Sequence, residues 1–303
     1  MSMAGRVERR DSNFRSGGLS CAGWLYLPEG VSRPPVVIMG HGFAAERTFR
    51  LPAFAERFAG AGIAAFVFDY RNFGDSEGTP RNLVNPFRHL QDWDAAISHV
   101  QKLPGVDGGR IALWGSSFGG GHVIIMAARR SEVAAIVSQV PFVDGVASLS
   151  LRSPGDIARA VIAGMRDVFR MVTFRAPWCV PVVAAPGTFA VMNTEESMPG
   201  YLALVPRDSE WKNEVPARVL LLVPWYSPMW YAKRVKCPAL VVAAEYDSLI
   251  PVKVVVKTAS RIEQCELHRL PCNHFQPYVG EFFEKNIAIE TEFLVRHLKI
   301  KTG

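Results

Sequence analysis

Of the 303 residues, 49% are hydrophobic, enough apolar material to bury a large core in one α/β domain or in one domain carrying an insertion. The formal net charge of +6 does not point to a nucleic-acid surface, because Lys and Arg are spread along the chain and no basic run interleaved with aromatics occurs. Five cysteines without a CxxC pair argue against a zinc site or a disulfide framework, residues 1–18 are polar and Arg-rich, and no run of about 18 apolar residues follows, so a cytoplasmic protein with no membrane span is expected.

In chain order, residues 19–27 read as an N-terminal antiparallel strand, and apolar runs of strand length recur at 35–39, 64–68, 110–114, 134–140, 239–244 and 265–270. Helical patterns separate them. Phe87, Leu90, Ile97, Val100 and Leu103 form one apolar stripe, and 291–298 closes the chain as another helix. This alternation predicts an α/β fold with a mainly parallel, doubly wound sheet covered by helices. The rhythm breaks at 141–236, where roughly 100 residues fill a connection that ordinarily needs far fewer. The expected organisation is a core of residues 1–140 and 237–303 with a mostly helical cap, 141–236, inserted between two strands. Within it, Ser153 as N-cap and Pro154 at the first helical position open a helix through about residue 172.

Gly115-Ser116-Ser117-Phe118-Gly119 lies between the run 110–114 and the helix-forming stretch 120–128. This is the strand, sharp turn and helix of a nucleophile elbow, in which side chains at the flanking glycines would clash with neighbouring backbone. It nominates Ser117 as a nucleophile. A serine hydroxyl needs a histidine to take its proton and an acid to orient that histidine. Asp247 follows the run 239–244 and His274 follows 265–270, which gives the chain order Ser, Asp, His expected of α/β-hydrolases. Asp144, just past 134–140, is a competing acid. His41, His89, His99, His122, His268 and His297 compete for the base.

The whole chain resembles the serine α/β-hydrolases, most closely the capped, dienelactone-hydrolase-like and X-Pro-peptidase-like acyl hydrolases, with fungal polyketide transferases as relatives. Gly40-His41-Gly42-Phe43 is similar to the oxyanion loop of that superfamily. Residues 69–78, Asp-Tyr-Arg-Asn-Phe-Gly-Asp-Ser-Glu-Gly, resemble its Asp-x-Arg-Gly-x-Gly-x-Ser loop, with Asn72 where glycine is usual. Cys272-Asn273 stands before His274-Phe275 where relatives often carry Gly-Gly or Gly-Ala. The resemblance implies an oxyanion hole of the Phe43 and Phe118 backbone amides, with His41 holding the loop. It also implies a cofactor-free serine hydrolase acting on a small, partly apolar acyl substrate through an acyl-enzyme on Ser117. The aromatic content of the inserted segment makes Trp225, Tyr226 and Trp230 the expected pocket lining, with the segment's own core as the alternative place for them. Acyl transfer or thioester cleavage by the same residues is the alternative, and a noncatalytic small-molecule receptor is the reading from a different class. Dehalogenase and epoxide-hydrolase chemistry is disfavoured because it needs a carboxylate at the elbow. A homo-oligomer is compatible with the sequence.

Overall fold

The apolar runs become the strands of one eight-stranded sheet in the computed structural model, which describes residues 7–300. In chain order its strands are β1 (Val7–Asp11), β2 (Gly23–Pro28), β3 (Pro35–Gly40), β4 (Ala64–Phe68), β5 (Asp107–Ser116), β6 (Val133–Gln139), β7 (Ala239–Ala244) and β8 (Cys265–Leu270). Their order across the sheet is β1-β2-β4-β3-β5-β6-β7-β8. The first two pairings, β1 with β2 and β2 with β4, are antiparallel, and all the others are parallel. β3, β4 and β7 are buried at every position, as strands covered on both faces must be.

Two helix layers supply that cover. α1 (Leu51–Gly60) and α9 (Gly280–His297) pack against each other, and Phe54 of α1 meets Trp114 of β5 at 4.9 Å between ring centroids. α2 (Pro86–Val100) packs on α3 (Phe118–Arg129), which lies against β5 and β6, and α8 (Val252–Ala259) lies against β7 and β8. Trp114 and Gly115 alternate across β5, so the α9 side receives the indole and the α3 side receives the glycine. Among the described residues no helix is long and apolar enough to cross a membrane, and all five cysteines are free thiols.

Elements near the two ends of the chain differ from the sequence expectation. The 19–27 segment divides into Leu19–Cys21, paired with Phe14–Ser16, and β2. β1 carries no strand signal in the sequence, because an edge strand of sequence VERRD, mostly exposed, has no apolar alternation. The closing helix begins at Gly280 because its first turns pack Phe283 and Ile287 into the core at a spacing that the shorter reading cut off.

Residues between the neighbouring strands β6 and β7 form α4 (Gly145–Leu149), α5 (Pro154–Val172), α6 (Ser197–Leu202) and α7 (Val219–Leu222), three short 3-10 turns and the two-residue pair Cys179–Val180 with Val215–Pro216. Ser153 Oγ accepts the Asp156 N–H at 3.1 Å, and Pro154 occupies the first turn of α5. Asp167 is fully buried in α5 and pairs with Arg218 at 2.6 Å, tying α5 to the start of α7.

A buried polar chain runs beneath the elbow. Ser116 Oγ lies 2.5 Å from the Tyr278 hydroxyl and accepts the Gln139 amide at 2.7 Å; Asn286 donates to Gln139 at 2.5 Å and to Glu290 at 3.1 Å, and the Trp114 indole donates to Glu290 at 2.8 Å. Burial raises the Glu290 carboxyl from 4.5 to about 8, against those two hydrogen bonds. The folded protein therefore keeps a proton that the unfolded chain has already released, and stability falls as pH rises between these values. Thermal unfolding is expected to show that fall across pH 5 to 8, the full effect being on the order of 4 kcal/mol, and Glu290→Gln is expected to flatten it. Equal pH slopes for the two proteins would contradict a neutral Glu290.

Candidate active site

Ser117 sits between β5 and α3 with φ 54° and ψ −116°, a conformation that non-glycine residues rarely adopt. Backbone bonds hold it there: its N–H donates to Gln139 at 2.9 Å and its carbonyl accepts Phe142 N–H at 2.8 Å. The two glycines of the elbow are required by close approach. A Cβ at Gly119 would lie 2.6 Å from the Gly40 carbonyl and 2.7 Å from that of His41, and one at Gly115 would overlap the Gly119 carbonyl.

His274 follows β8 and Asp247 follows β7, so parallel pairing of these strands delivers both loops to the same sheet end. His274 Nδ1 is 2.6 Å from Asp247 Oδ2, and Nε2 is 3.0 Å from Ser117 Oγ. A carboxylate only accepts, so Nδ1 carries the proton and Nε2 is left to accept from the serine hydroxyl. Asp247 Oδ1 in turn accepts the Leu249 and Ile250 N–H groups, both at 2.8 Å, which fixes the carboxylate plane. Asn273, the departure from glycine before His274, accepts Phe275 and Gln276 N–H at 3.1 Å each and closes the loop as an Asx turn. Burial works to lower the His274 pKa, but the charge and hydrogen bond of Asp247 and the charge of Glu196 outweigh it and hold the imidazole above its ordinary value.

Glu196 is the site residue that the sequence did not single out. Its Oε1 accepts Ser248 N–H at 2.9 Å and its Oε2 accepts His274 N–H at 3.3 Å, so one carboxylate from the 141–236 segment grips both loops. No local pattern links a glutamate before α6 to a loop 50 residues on. The competing acid, Asp144, caps α4 through Val146 N–H at 3.0 Å and accepts Ser227 Oγ at 3.0 Å, turned to its own helix.

The other histidines are engaged elsewhere. His41 is buried, with Nδ1 3.0 Å from the Gly42 carbonyl and Nε2 3.7 Å from Asp69. His89 and His122 share a contact at 3.3 Å inside the core, and burial lowers both pKa values. His99 meets Ser12 at 3.0 Å, His268 lies in β8, and His297 approaches Glu266 at 3.6 Å. Asn72 adopts φ 77°, the left-handed turn position for which glycine is usual and which asparagine tolerates, and donates to the Pro80 carbonyl at 3.0 Å.

Phe118 is the first residue of α3, where an N–H has no intrahelical partner and faces the positive end of the helix dipole. Among the described residues neither its amide nor that of Phe43 has a hydrogen-bond acceptor. The loop that carries Phe43 is clamped from the 141–236 segment: the Tyr201 hydroxyl donates to the Phe43 carbonyl at 2.9 Å and the Trp211 indole to that of Ala44 at 2.8 Å. The Phe43 and Phe118 rings meet edge to face at 5.6 Å.

A cavity of about 140 Å³ opens beside Ser117 and His274, lined mainly by apolar side chains such as Leu149, Ile157, Ala160, Leu220, Val223 and Ile250. A smaller one of about 30 Å³ lies across the serine, bounded by Gly42, Phe49, Tyr201 and Tyr278, and shares Phe43 and Met192 with the first. The expected pocket aromatics are not in either wall. Trp225 is 82% exposed, because the 3-10 turn Val223–Trp225 points Val223 and Pro224 inward and the indole out. Trp230 is 69% exposed, under the guanidinium of Arg261 at 5.8 Å. Tyr226 is buried behind the wall, its hydroxyl bonded to His122 Nδ1 and its ring 5.1 Å from that of Phe118. The wall is built instead from the apolar faces of α4, α5 and α7 and from residues 189–192.

Comparison with known proteins agrees with this geometry at the level of family. The family described as serine aminopeptidase, S33, matches residues 32–198. A quorum-quenching protein, AidA, of Acinetobacter baumannii is 38% identical over 291 residues, 96% of each chain. The polyketide transferase grgF of a Penicillium species is 26% identical over 305 residues, covering 97% of this chain and 99% of its own. The crystal structure of the α/β-hydrolase GrgF from Penicillium superposes with a TM-score of 0.84 at 25% identity, over 97% of this chain and 100% of that one. The chain belongs to the serine aminopeptidase S33 family of α/β-hydrolases.

Proposed function

We propose that the protein is a serine hydrolase that cleaves a carboxylic ester, or a closely related acyl bond, of a small substrate through an acyl-enzyme. The observation that carries this reading is the unbroken relay Ser117–His274–Asp247, at 3.0 and 2.6 Å, beside two free amides and an apolar cavity. Ser117 attacks the carbonyl as His274 takes its proton, and the oxyanion that forms is held by the Phe43 and Phe118 amides. His274 then protonates the leaving group. Water activated by the same imidazole releases the acid, and the 30 Å³ cavity beside His274 has room for about two water molecules.

In this reading residues 141–236 act as a cap, since they supply most of the cavity wall and the Glu196, Tyr201 and Trp211 contacts to the catalytic loops. The 140 Å³ cavity is close to the roughly 150 Å³ that accommodates benzene, so acyl chains of about six carbons should fill it. Along a series of p-nitrophenyl esters, activity is expected to peak at short acyl chains and drop sharply beyond that length, since an ill-fitting methylene costs about 1–3 kcal/mol. Equal turnover of palmitoyl and acetyl esters would show that the cap does not limit acyl size.

The pH dependence follows from the electrostatics of His274. Only its neutral form accepts the serine proton, so kcat/KM should rise with pH through a midpoint above the ordinary imidazole value of about 6.5. Glu196→Gln removes one of the charges that hold the imidazolium and should move the midpoint down. A wild-type midpoint below 6.5, or a flat profile with chemistry rate-limiting, would count against a histidine base under this field.

Acyl transfer is the second reading, favoured by the relative named a polyketide transferase. Adding alcohol or thiol acceptors to the ester assay and measuring the partition between acid and transferred product separates the two. The quorum-quenching relative adds small signalling molecules to the substrates worth assaying.

A further inference from the structure

α5 carries an apolar face that no other element among the described residues covers. Its inner side buries Ala163, Gly164 and Asp167, with Gly164 close upon Leu221 of α7, while Ile157 and Ala160 line the cavity beside Ser117. At 3.6 residues per turn the opposite side presents Val161, Ile162, Met165, Phe169 and Val172 as one stripe. All five are exposed, Ile162 at 68%, whereas the outward face of a surface helix is ordinarily polar. Arg159, Arg166 and Arg170 recur at i, i+7 and i+11, which sets them in a row along one flank of the stripe. The two carboxylates of the helix do not balance that row. Asp167 is buried on Arg218, and Asp156 lines the cavity, 3.7 Å from Arg159.

The end of the helix adds a second observation. Phe174 N–H donates to the Met171 carbonyl at 3.2 Å and Arg175 N–H to that of Arg170 at 2.8 Å, the paired bonds of a Schellman turn. The turn holds residue 174 at φ 54°, where glycine is usual and a bulky side chain is strained. Phe174 is 98% exposed, so no packing offsets the strain. A phenyl ring thus stands in solvent at the end of an apolar stripe and beside a further cation, Arg175.

We propose that this face of α5, with Phe174 at its end, docks the protein on the surface of an anionic lipid bilayer. The stripe and Phe174 enter the boundary of the acyl chains while the arginine row meets the headgroup phosphates, as in a helix that lies in the interface without crossing it. Charge decides between this occupant and a second copy of the chain. An antiparallel pairing of two α5 helices about a two-fold axis sets one arginine row beside the other, with no carboxylate on that flank to separate them. A lipid surface supplies apolar depth and negative charge together. Docking is independent of the hydrolase reading, and it sets the helix that walls the cavity against the bilayer.

The test is flotation of the full chain with vesicles of phosphatidylcholine alone and of phosphatidylcholine mixed with phosphatidylglycerol, at low and high salt. The wild type should partition onto the anionic vesicles at least about 10-fold more strongly than onto the neutral ones, and high salt should remove most of that difference. Phe174→Gly should lower the partition by roughly 10-fold, the scale of withdrawing one phenyl ring from an apolar medium. Its melting temperature should hold or rise, because glycine suits the left-handed position. Arg159→Gln combined with Arg166→Gln should weaken anionic binding by roughly 10- to 30-fold and leave neutral binding unchanged. Hydrolysis of a short soluble ester should be unaltered in Phe174→Gly, so loss of docking and loss of catalysis are read separately. A wild type that floats with neither vesicle or equally with both, or a folded Phe174→Gly that floats like the wild type, overturns the proposal. So does a dimer in sedimentation velocity that Phe174→Gly or Phe169→Ser dissociates, which would give the face to a second copy.

Discussion

Replacing Ser117 by Ala is expected to abolish hydrolysis of a short p-nitrophenyl ester, with a loss of up to about 10⁶ in kcat, the scale on which removing a triad nucleophile acts. The expectation rests on position as much as on chemistry. Ser117 Oγ alone stands 3.0 Å from His274 Nε2 at the mouth of the cavity, held there by a backbone conformation that the flanking glycines permit. Ser116, its neighbour, points the other way into the buried chain with Tyr278 and Gln139. Ser116→Ala should therefore keep substantial activity and lose about 1–3 kcal/mol of stability, because the Gln139 amide is left without its acceptor. Full activity in folded Ser117→Ala would end the serine mechanism.

Asp247→Asn should lower kcat by about 10⁴, while Asp144→Asn should be mild. An asparagine at 247 can present an N–H to His274 Nδ1, which would force the proton onto Nε2 and leave no lone pair for the serine hydroxyl. It also removes the charge and the hydrogen bond that hold the imidazole pKa up. Asp144 faces Val146, Ala147 and Ser227, so its amide variant loses part of a helix cap and little else. Steady-state kinetics of the two variants under identical conditions ranks them, and the reverse order would move the acid to Asp144.

The parts of the molecule that the sequence discloses are those specified by short-range rules. Runs such as 64–68 and 239–244 are strands because an unbroken apolar stretch bounded by turn residues has few other uses, and their ends coincide with the strand ends observed. The elbow is legible for the same reason, since its glycines, its serine and the flanking strand and helix are all local. The walls of the cavity are not local. Trp225 and Trp230 carry the composition expected of a pocket, yet their side chains point to solvent because the 3-10 turns that hold them turn Val223, Pro224 and Pro228 inward. Glu196 sits in a polar stretch with no motif around it. Its meaning comes from what tertiary packing sets beside it, the Ser248 and His274 backbones.

The central claim is that one hydroxyl in this chain is activated by the relay behind it, and a fluorophosphonate probe followed by peptide mass spectrometry reads that directly. The wild type should take up a single phosphonyl group on the peptide that carries Gly115 to Gly119, located at Ser117, and His274→Ala should label far more slowly although Ser117 is intact. A wild type that stays unlabelled, or an adduct located at any other residue, would contradict the account.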